Sequence, residues 1–306
     1  MTLFRRFALI STIGTYVAIF AGGLVRVSGA GLGCPDWPKC FGGWIPPLSA
    51  TDLPADINPA TFNFTLAWIE YINRLTGMVL GLFIAATAIM AIIQYRNKPR
   101  ILYPSLGAAL LVAFQGWQGG QVVISELQPL AVSIHLVVAL IIVSVLTYVT
   151  QQAYYLEEAN AAPAVRYPRS VSLAVAALWI LTVVQIIVGA NVRGSVEELA
   201  ATNPLANDHE LLALAGGIKY VHVFLGAVLA AMTLGIGIQI YRTTPQPEAI
   251  VKFSVWWLIM LVAVQMSLGT GLIAIALPPL MQLFHVWVAS LFVGTLLVLY
   301  TAVKRA

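Results

Sequence analysis

The chain has 306 residues, 60% of them hydrophobic and only 9% charged, with a mean hydropathy of +0.89. Such a composition excludes a soluble globular domain or a disordered chain and fits an integral membrane protein. The net charge of +4 is a matter of membrane topology, argued below, and does not imply a nucleic-acid partner.

A helix crossing a bilayer needs about 20 apolar residues. Eight segments qualify: Phe7–Val27, Leu66–Tyr95, Ile101–Ser125, Leu130–Tyr148, Val171–Val192, Leu211–Tyr241, Phe253–Ala276 and Leu280–Val303. The first follows Arg5 and Arg6 and looks like a signal peptide. Its end, GGLVRVSG (Gly22–Gly29), is echoed by GANVRGS (Gly189–Ser195) at the end of the fifth segment, so it belongs to the body of the protein. A long loop, 28–65, follows, rich in Gly, Pro and Trp and carrying Cys34 and Cys40, the only cysteines. The segment 151–170 is polar and forms the natural linker between halves. A second long loop, 194–210, holds His209, read as a solvated loop residue.

Placing the N-terminus in the cytoplasm puts eleven basic residues inside (Arg5, Arg6, Arg96, Lys98, Arg100, Arg166, Arg169, Arg242, Lys252, Lys304, Arg305) and five outside (Arg26, Lys39, Arg74, Arg193, Lys219). The positive-inside rule therefore puts both termini in the cytoplasm and the cysteine loop on the outer side of a cell inner membrane.

The chain is a duplication. IEYINRLTG (Ile69–Gly77) returns as IKYVHVFLG (Ile218–Gly226), and AFQGWQGGQ (Ala113–Gln121) followed by His135 returns as AVQMSLGTG (Ala263–Gly271) followed by His285. Gln115/Gln265, Gly119/Gly269 and His135/His285 are each 150 residues apart. With four spans per half, the repeats are parallel. The expected fold is all-α: eight transmembrane helices in two tandem four-helix bundles, 1–152 and 170–306, joined by a cytoplasmic linker at 153–169.

His222 and His285 fall at similar depth, roughly 10 Å into the membrane at about 1.5 Å of rise per residue. Intramembrane ionisable residues are costly and mark function. A single histidine would be read as helix-to-helix glue. Two at matching depth in one bundle, with no carboxylate or thiolate beside them for zinc, favour axial ligation of a b-type haem. In the first half His135 remains, but His222 is matched by Asn73, a poor iron ligand. Glu70 shares a helix face with Asn73 and is suited to proton handling or to an open coordination position. It is equally placed to pair with Arg74 four residues on. Its counterpart, Lys219, reverses the charge, which suggests that one half keeps a cofactor while the other works on something. Arg26 and Arg193 are equivalent and could neutralise propionates or snorkel to headgroups. Gln115 and Gln265 are read as helix-to-helix hydrogen bonders. Cys34 and Cys40 are either a structural staple or a redox pair in an oxidising compartment.

Taken together, GGLVRVSGAGLGCPDWPKC (Gly22–Cys40), WIEYINRLTG (Trp68–Gly77), His135, KYVHVFLG (Lys219–Gly226) and LFHVWVAS (Leu283–Ser290) resemble the haem A synthase family over nearly the whole chain. The resemblance implies oxidation of the C8 methyl of haem O to a formyl group by successive hydroxylations and loss of water. It implies haem B as electron-relay cofactor on His222 and His285, a substrate half with Glu70 essential for turnover, and His135, Asn73, Arg74 and Arg26 around haem O. Arg193 is then a propionate contact, and Cys34–Cys40 a disulfide or redox pair. Asn73 departs from the family, which carries histidine there, so paired-histidine ligation does not transfer to the first half. Candidate partners are haem O, membrane lipid, the upstream haem O synthase, an unidentified electron acceptor and a second copy of the chain. The alternative is a b-type cytochrome exchanging electrons with quinone. A transporter ranks third, because the helices lack paired Gly/Pro breaks at mid-membrane.

Overall fold

The computed structural model describes residues 1–157 and 165–305. Among the described residues there are nine α-helices: α1 (Leu3–Val27), α2 (Phe64–Gln94), α3 (Pro99–Ile124), α4 (Pro129–Glu157), α5 (Arg169–Thr202), α6 (Asp208–Leu214), α7 (Ile218–Thr243), α8 (Ala249–Ala274) and α9 (Pro279–Lys304). Seven of them, all but α3 and the short α6, are long and apolar enough to cross a membrane. The third expected span is helical and long enough, but Tyr103, Pro104, Gln115, Gln118 and Gln121 dilute its apolar character. The protein is a multi-pass membrane protein, and its helices present apolar side chains outward, Leu82, Ile93, Leu110 and Phe224 among them. In hydrocarbon only helices and closed barrels satisfy every backbone group internally.

Two expected boundaries move. The fifth span continues to Thr202, through half of the expected second loop. The sixth does not start at Leu211: α6 is a separate helix with an Asn207/Glu210 capping box, and the chain turns at Gly216 (φ 69°) before α7. His209 therefore lies in α6, exposed, and not in a loop. The expected linker at 153–169 is helical as far as Glu157; its residues 158–164 lie outside the described residues.

The chain divides into two compact units, Thr2–Leu146 and Thr147–Ala306. In the first, Leu80 and Ile84 of α2, Ala108 of α3 and Val138, Ile142 and Leu146 of α4 form the core, with Ala18 of α1 against it. Small polar groups knit α1 to α2, where the Ser11 and Thr87 hydroxyls meet at 3.2 Å. Each needs a partner because lipid offers none. In the second unit, Leu178 of α5, Leu229 and Ile236 of α7, Val255 and Leu258 of α8, and Phe292 and Leu296 of α9 make the core.

The duplication is written in the backbone. The α3–α4 connection passes through two left-handed residues, Glu126 (φ 53°) and Leu127 (φ 64°), and the α8–α9 connection repeats them at Ala276 (φ 57°) and Leu277 (φ 55°). Leu127 N–H donates to Val122 O, and Leu277 N–H to Leu272 O, both at 2.9 Å. Left-handed geometry is unfavourable for leucine and persists where surroundings fix it. Leu127 is held against Gly31, where a Cβ would lie 2.9 Å from its Cδ atoms. Leu277 packs on Val196, Leu211 and Ala215. Pro129 and Pro279 then open α4 and α9, the first helical position being where a missing N–H costs nothing.

Candidate functional site

The α1–α2 loop is anchored on α2 by one ion pair. Cys34 and Cys40 form a disulfide, buried with Phe41 and Ala67 and flanked by Phe62 and Tyr71. The Asp36 carboxylate accepts from Phe41 N at 2.6 Å and Gly42 N at 2.9 Å, which closes the loop on itself. Gly33 lies so near α2 that a Cβ there would stand 2.4 Å from Leu66 O. From α2, Glu70, only 3% exposed, accepts Cys34 N–H at 2.8 Å. Arg74, one turn on, pairs with Glu70 and donates to Asp36 O and Lys39 O at 2.7 Å and to Cys34 O at 3.2 Å.

Lys219, in the position equivalent to Glu70, does the same work with the opposite sign. Its Nζ donates to Leu212 O at 2.6 Å and Ala213 O at 2.8 Å, at the end of α6. The charge reversal follows what each half offers: backbone N–H to Glu70, backbone C=O to Lys219.

In the second unit, the His222 ring of α7 and the His285 ring of α9 stand with centroids 6.3 Å apart. Two imidazole nitrogens each about 2 Å from one metal would set their ring centroids about 6 Å apart, so the spacing fits an iron held between them. The Nδ1 atoms of both rings are buried and without a hydrogen-bond partner. Among the described residues no group of three or more His, Cys, Asp and Glu could hold a bare metal ion.

Each histidine is built in by a glutamine and a glycine from a neighbouring helix. Gln185 donates to His222 O at 2.8 Å, Gln265 to His285 O at 3.0 Å and Gln115 to His135 O at 2.9 Å. A Cβ on Gly189 would come within 2.7 Å of His222 Cε1, one on Gly269 within 3.4 Å of His285 Cε1, and one on Gly119 within 3.3 Å of His135 Cε1. At the fourth position, Gly22 stands beside Asn73, 3.9 Å from a would-be Cβ to Oδ1. His135 has one further partner, the Gln118 side chain, 2.5 Å from Nδ1. Arg26 lies half-buried in the last turn of α1, and Arg193 pairs with Glu197 at 2.7 Å.

Gln118, Gln185 and the glycines' contacts were not legible from the sequence. Glutamines within α3 and α5 were the available signal, but neither has a counterpart: Leu268 replaces Gln118 and Ala18 replaces Gln185 in the repeat.

Over residues 5–297 the sequence matches the family described as cytochrome oxidase assembly protein. The chain belongs to that family. It is 34% identical over 116 residues to the heme A synthase of Geobacillus kaustophilus (38% of this chain, 32% of the relative). It is 32% identical over 145 residues to that of Shewanella oneidensis (45% and 42%). In these two alignments the chain spans less than half the relative's length. With the heme A synthase of Wolbachia sp. subsp. Brugia malayi it shares 25% identity over 310 residues, 90% of this chain and 89% of the relative.

Proposed function

We propose that this protein is a haem A synthase, an oxidoreductase that converts the C8 methyl of haem O to a formyl group by successive hydroxylations and loss of water. The observation that carries the reading is one site built twice with different side chains. The His222 and His285 rings stand 6.3 Å apart in one copy, while the other has His135 and, in the repeat position of His222, Asn73, which ligates iron poorly. A closed pair of histidines suits a resident haem B; a single histidine suits a haem that enters and leaves. When bound, haem B would relay electrons from the substrate site to an external acceptor.

The chain's own residues supply the rest. Gln185 and Gln265 fix the two ligand-bearing turns by their carbonyls, and Gly189 and Gly269 let the imidazole Cε1 atoms come close to α5 and α8. In the first half, the disulfide loop, clamped by Glu70 and Arg74, covers the end of α2 that carries Asn73. The sequence asymmetry of basic residues supports cytoplasmic termini and a loop facing an oxidising compartment, where the Cys34–Cys40 bond would persist. We take α3 as the eighth span, because its repeat partner α8 meets the length and apolarity of one.

The test is to express the protein with a supply of haem O and extract bound haems in acid for chromatography. Wild type should yield haem A and haem B. His135→Leu should yield haem B without haem A, and His222→Leu should lose haem B. Haem B alone in the wild type would favour the b-type cytochrome reading.

A further inference from the structure

Gln118 gives His135 a hydrogen bond at Nδ1 that neither histidine of the second half has; there the Gln185 amide nitrogen lies 3.5 Å from His222 Nε2 instead. It lies in α3, 5% exposed, one residue before the glycine that receives His135. Its Nε2 donates to Ala131 O at 2.6 Å, and its Oε1 lies 2.5 Å from His135 Nδ1. The network fixes the amide's orientation: flipped, its oxygen would face the Ala131 oxygen. With the donor end committed to a carbonyl, the acceptor end faces the ring, so Nδ1 must carry the proton. The neutral ring then keeps its lone pair on Nε2. In the second half Leu268 stands in the place of Gln118, and the Nδ1 atoms of His285 and His222 are buried without partners.

The difference has a physical use. Two histidines trans to one iron hold each other in place through the metal. A lone histidine has no such restraint, and its ring must be aimed by the protein before the haem arrives. An outer hydrogen bond from Nδ1–H to an acceptor fixes ring and tautomer and strengthens the nitrogen that binds metal. We infer that Gln118 is a positioning residue that sets His135 as an Nε2 ligand for the substrate haem, doing in the first half what a second histidine does in the other. This rests on the proposal that the first half receives haem O.

The experiment follows haem O bound to the full-length protein with haem B in place, using Gln118→Leu, Gln118→Glu and His135→Ala. Transfer of haem O to excess apomyoglobin should speed up about tenfold or more in Gln118→Leu, the range for loss of such an outer partner. Gln118→Glu, whose neutral carboxyl group can donate to Ala131 O and still accept from Nδ1–H, should stay near wild type. Resonance Raman of the reduced haem O site should show the iron–histidine stretch shifted down in Gln118→Leu and retained in Gln118→Glu, a signature that loosened packing alone would not give. Haem B content should be unchanged throughout. Release and stretch unaltered in Gln118→Leu, while His135→Ala releases haem O quickly, would overturn the role of Gln118 alone. Equal loss in the Leu and Glu variants would do the same, by reducing Gln118 to a packing group. Unaltered release in His135→Ala would overturn the substrate reading of the first half and this inference with it.

Discussion

The Glu70 carboxylate accepts the backbone N–H of Cys34 at 2.8 Å, joining the residue picked out by the sequence for chemistry to the disulfide picked out for redox. Arg74 completes the join by spanning Glu70 and three loop carbonyls. A carboxylate so engaged holds the loop closed, and whatever part it has in turnover is exercised from that position.

Removing one partner of a buried ion pair costs about 3–5 kcal/mol, because the other charge is left uncompensated. Glu70→Ala should therefore free the loop. Labelling of Cys34 and Cys40 after brief exposure to a mild reductant should be at least about tenfold faster than in wild type, with Glu70→Gln intermediate because it still accepts from Cys34 N. Equal labelling in all three proteins would show that the clamp does not govern the loop.

Gly33→Ala should be the least tolerated glycine change in that loop. Its Cβ would lie 2.4 Å from Leu66 O, a backbone atom that cannot rotate away. Overpacking of this kind costs about 1–3 kcal/mol and sometimes more. At Gly31 the neighbour is the flexible end of Leu127, at 2.9 Å, so Gly31→Ala should melt closer to wild type. Thermal unfolding of both variants in detergent checks the order; the reverse order would mean the loop is not seated on α2 as described.

Much of the fold was legible because duplication prints it twice. Gln115/Gln265 and His135/His285 stood out by their constant separation, and the structure gives each pair the same contact, amide to histidine carbonyl. The same method hides what is unique to one copy. Gln118 and Gln185 have no echo, so the repeat does not single them out. The break before α7 was missed because Leu211–Leu214 is apolar enough to read as the start of a span, while the turn at Gly216 is a backbone event. Glu70 and Lys219 looked like a functional contrast because sequence shows charge but not whether the backbone nearby offers N–H or C=O.

The cradle glycines give a graded prediction. Substitution by alanine should cost haem B in the order of the clearance each Cβ would have. Gly189→Ala, at 2.7 Å from His222 Cε1, should lower haem B per protein severely, and Gly269→Ala, at 3.4 Å from His285 Cε1, only slightly. Gly22→Ala, at 3.9 Å from Asn73 in the other half, should leave it unchanged. Pyridine haemochrome assays on purified protein measure the series. Similar losses for all three would place the effect in folding and not in the seat of the imidazole.

The pair of second-half histidines can be tested by restoring what is removed. His222→Gly opens a space between Gly189 and the ring of His285 and should abolish stable haem B binding. His285 would remain with its carbonyl held by Gln265 at 3.0 Å, so one half of the site survives intact. Added imidazole should then occupy the space, recover haem B and bring back the low-spin ferric spectrum of two-nitrogen ligation. His285→Gly should behave alike, since each ring is cradled by its own glycine. The control is His209→Gly, whose side chain is exposed on α6; it should hold haem B with or without imidazole. Haem B bound as low-spin iron in His222→Gly without imidazole would mean that a residue other than His222 completes the pair.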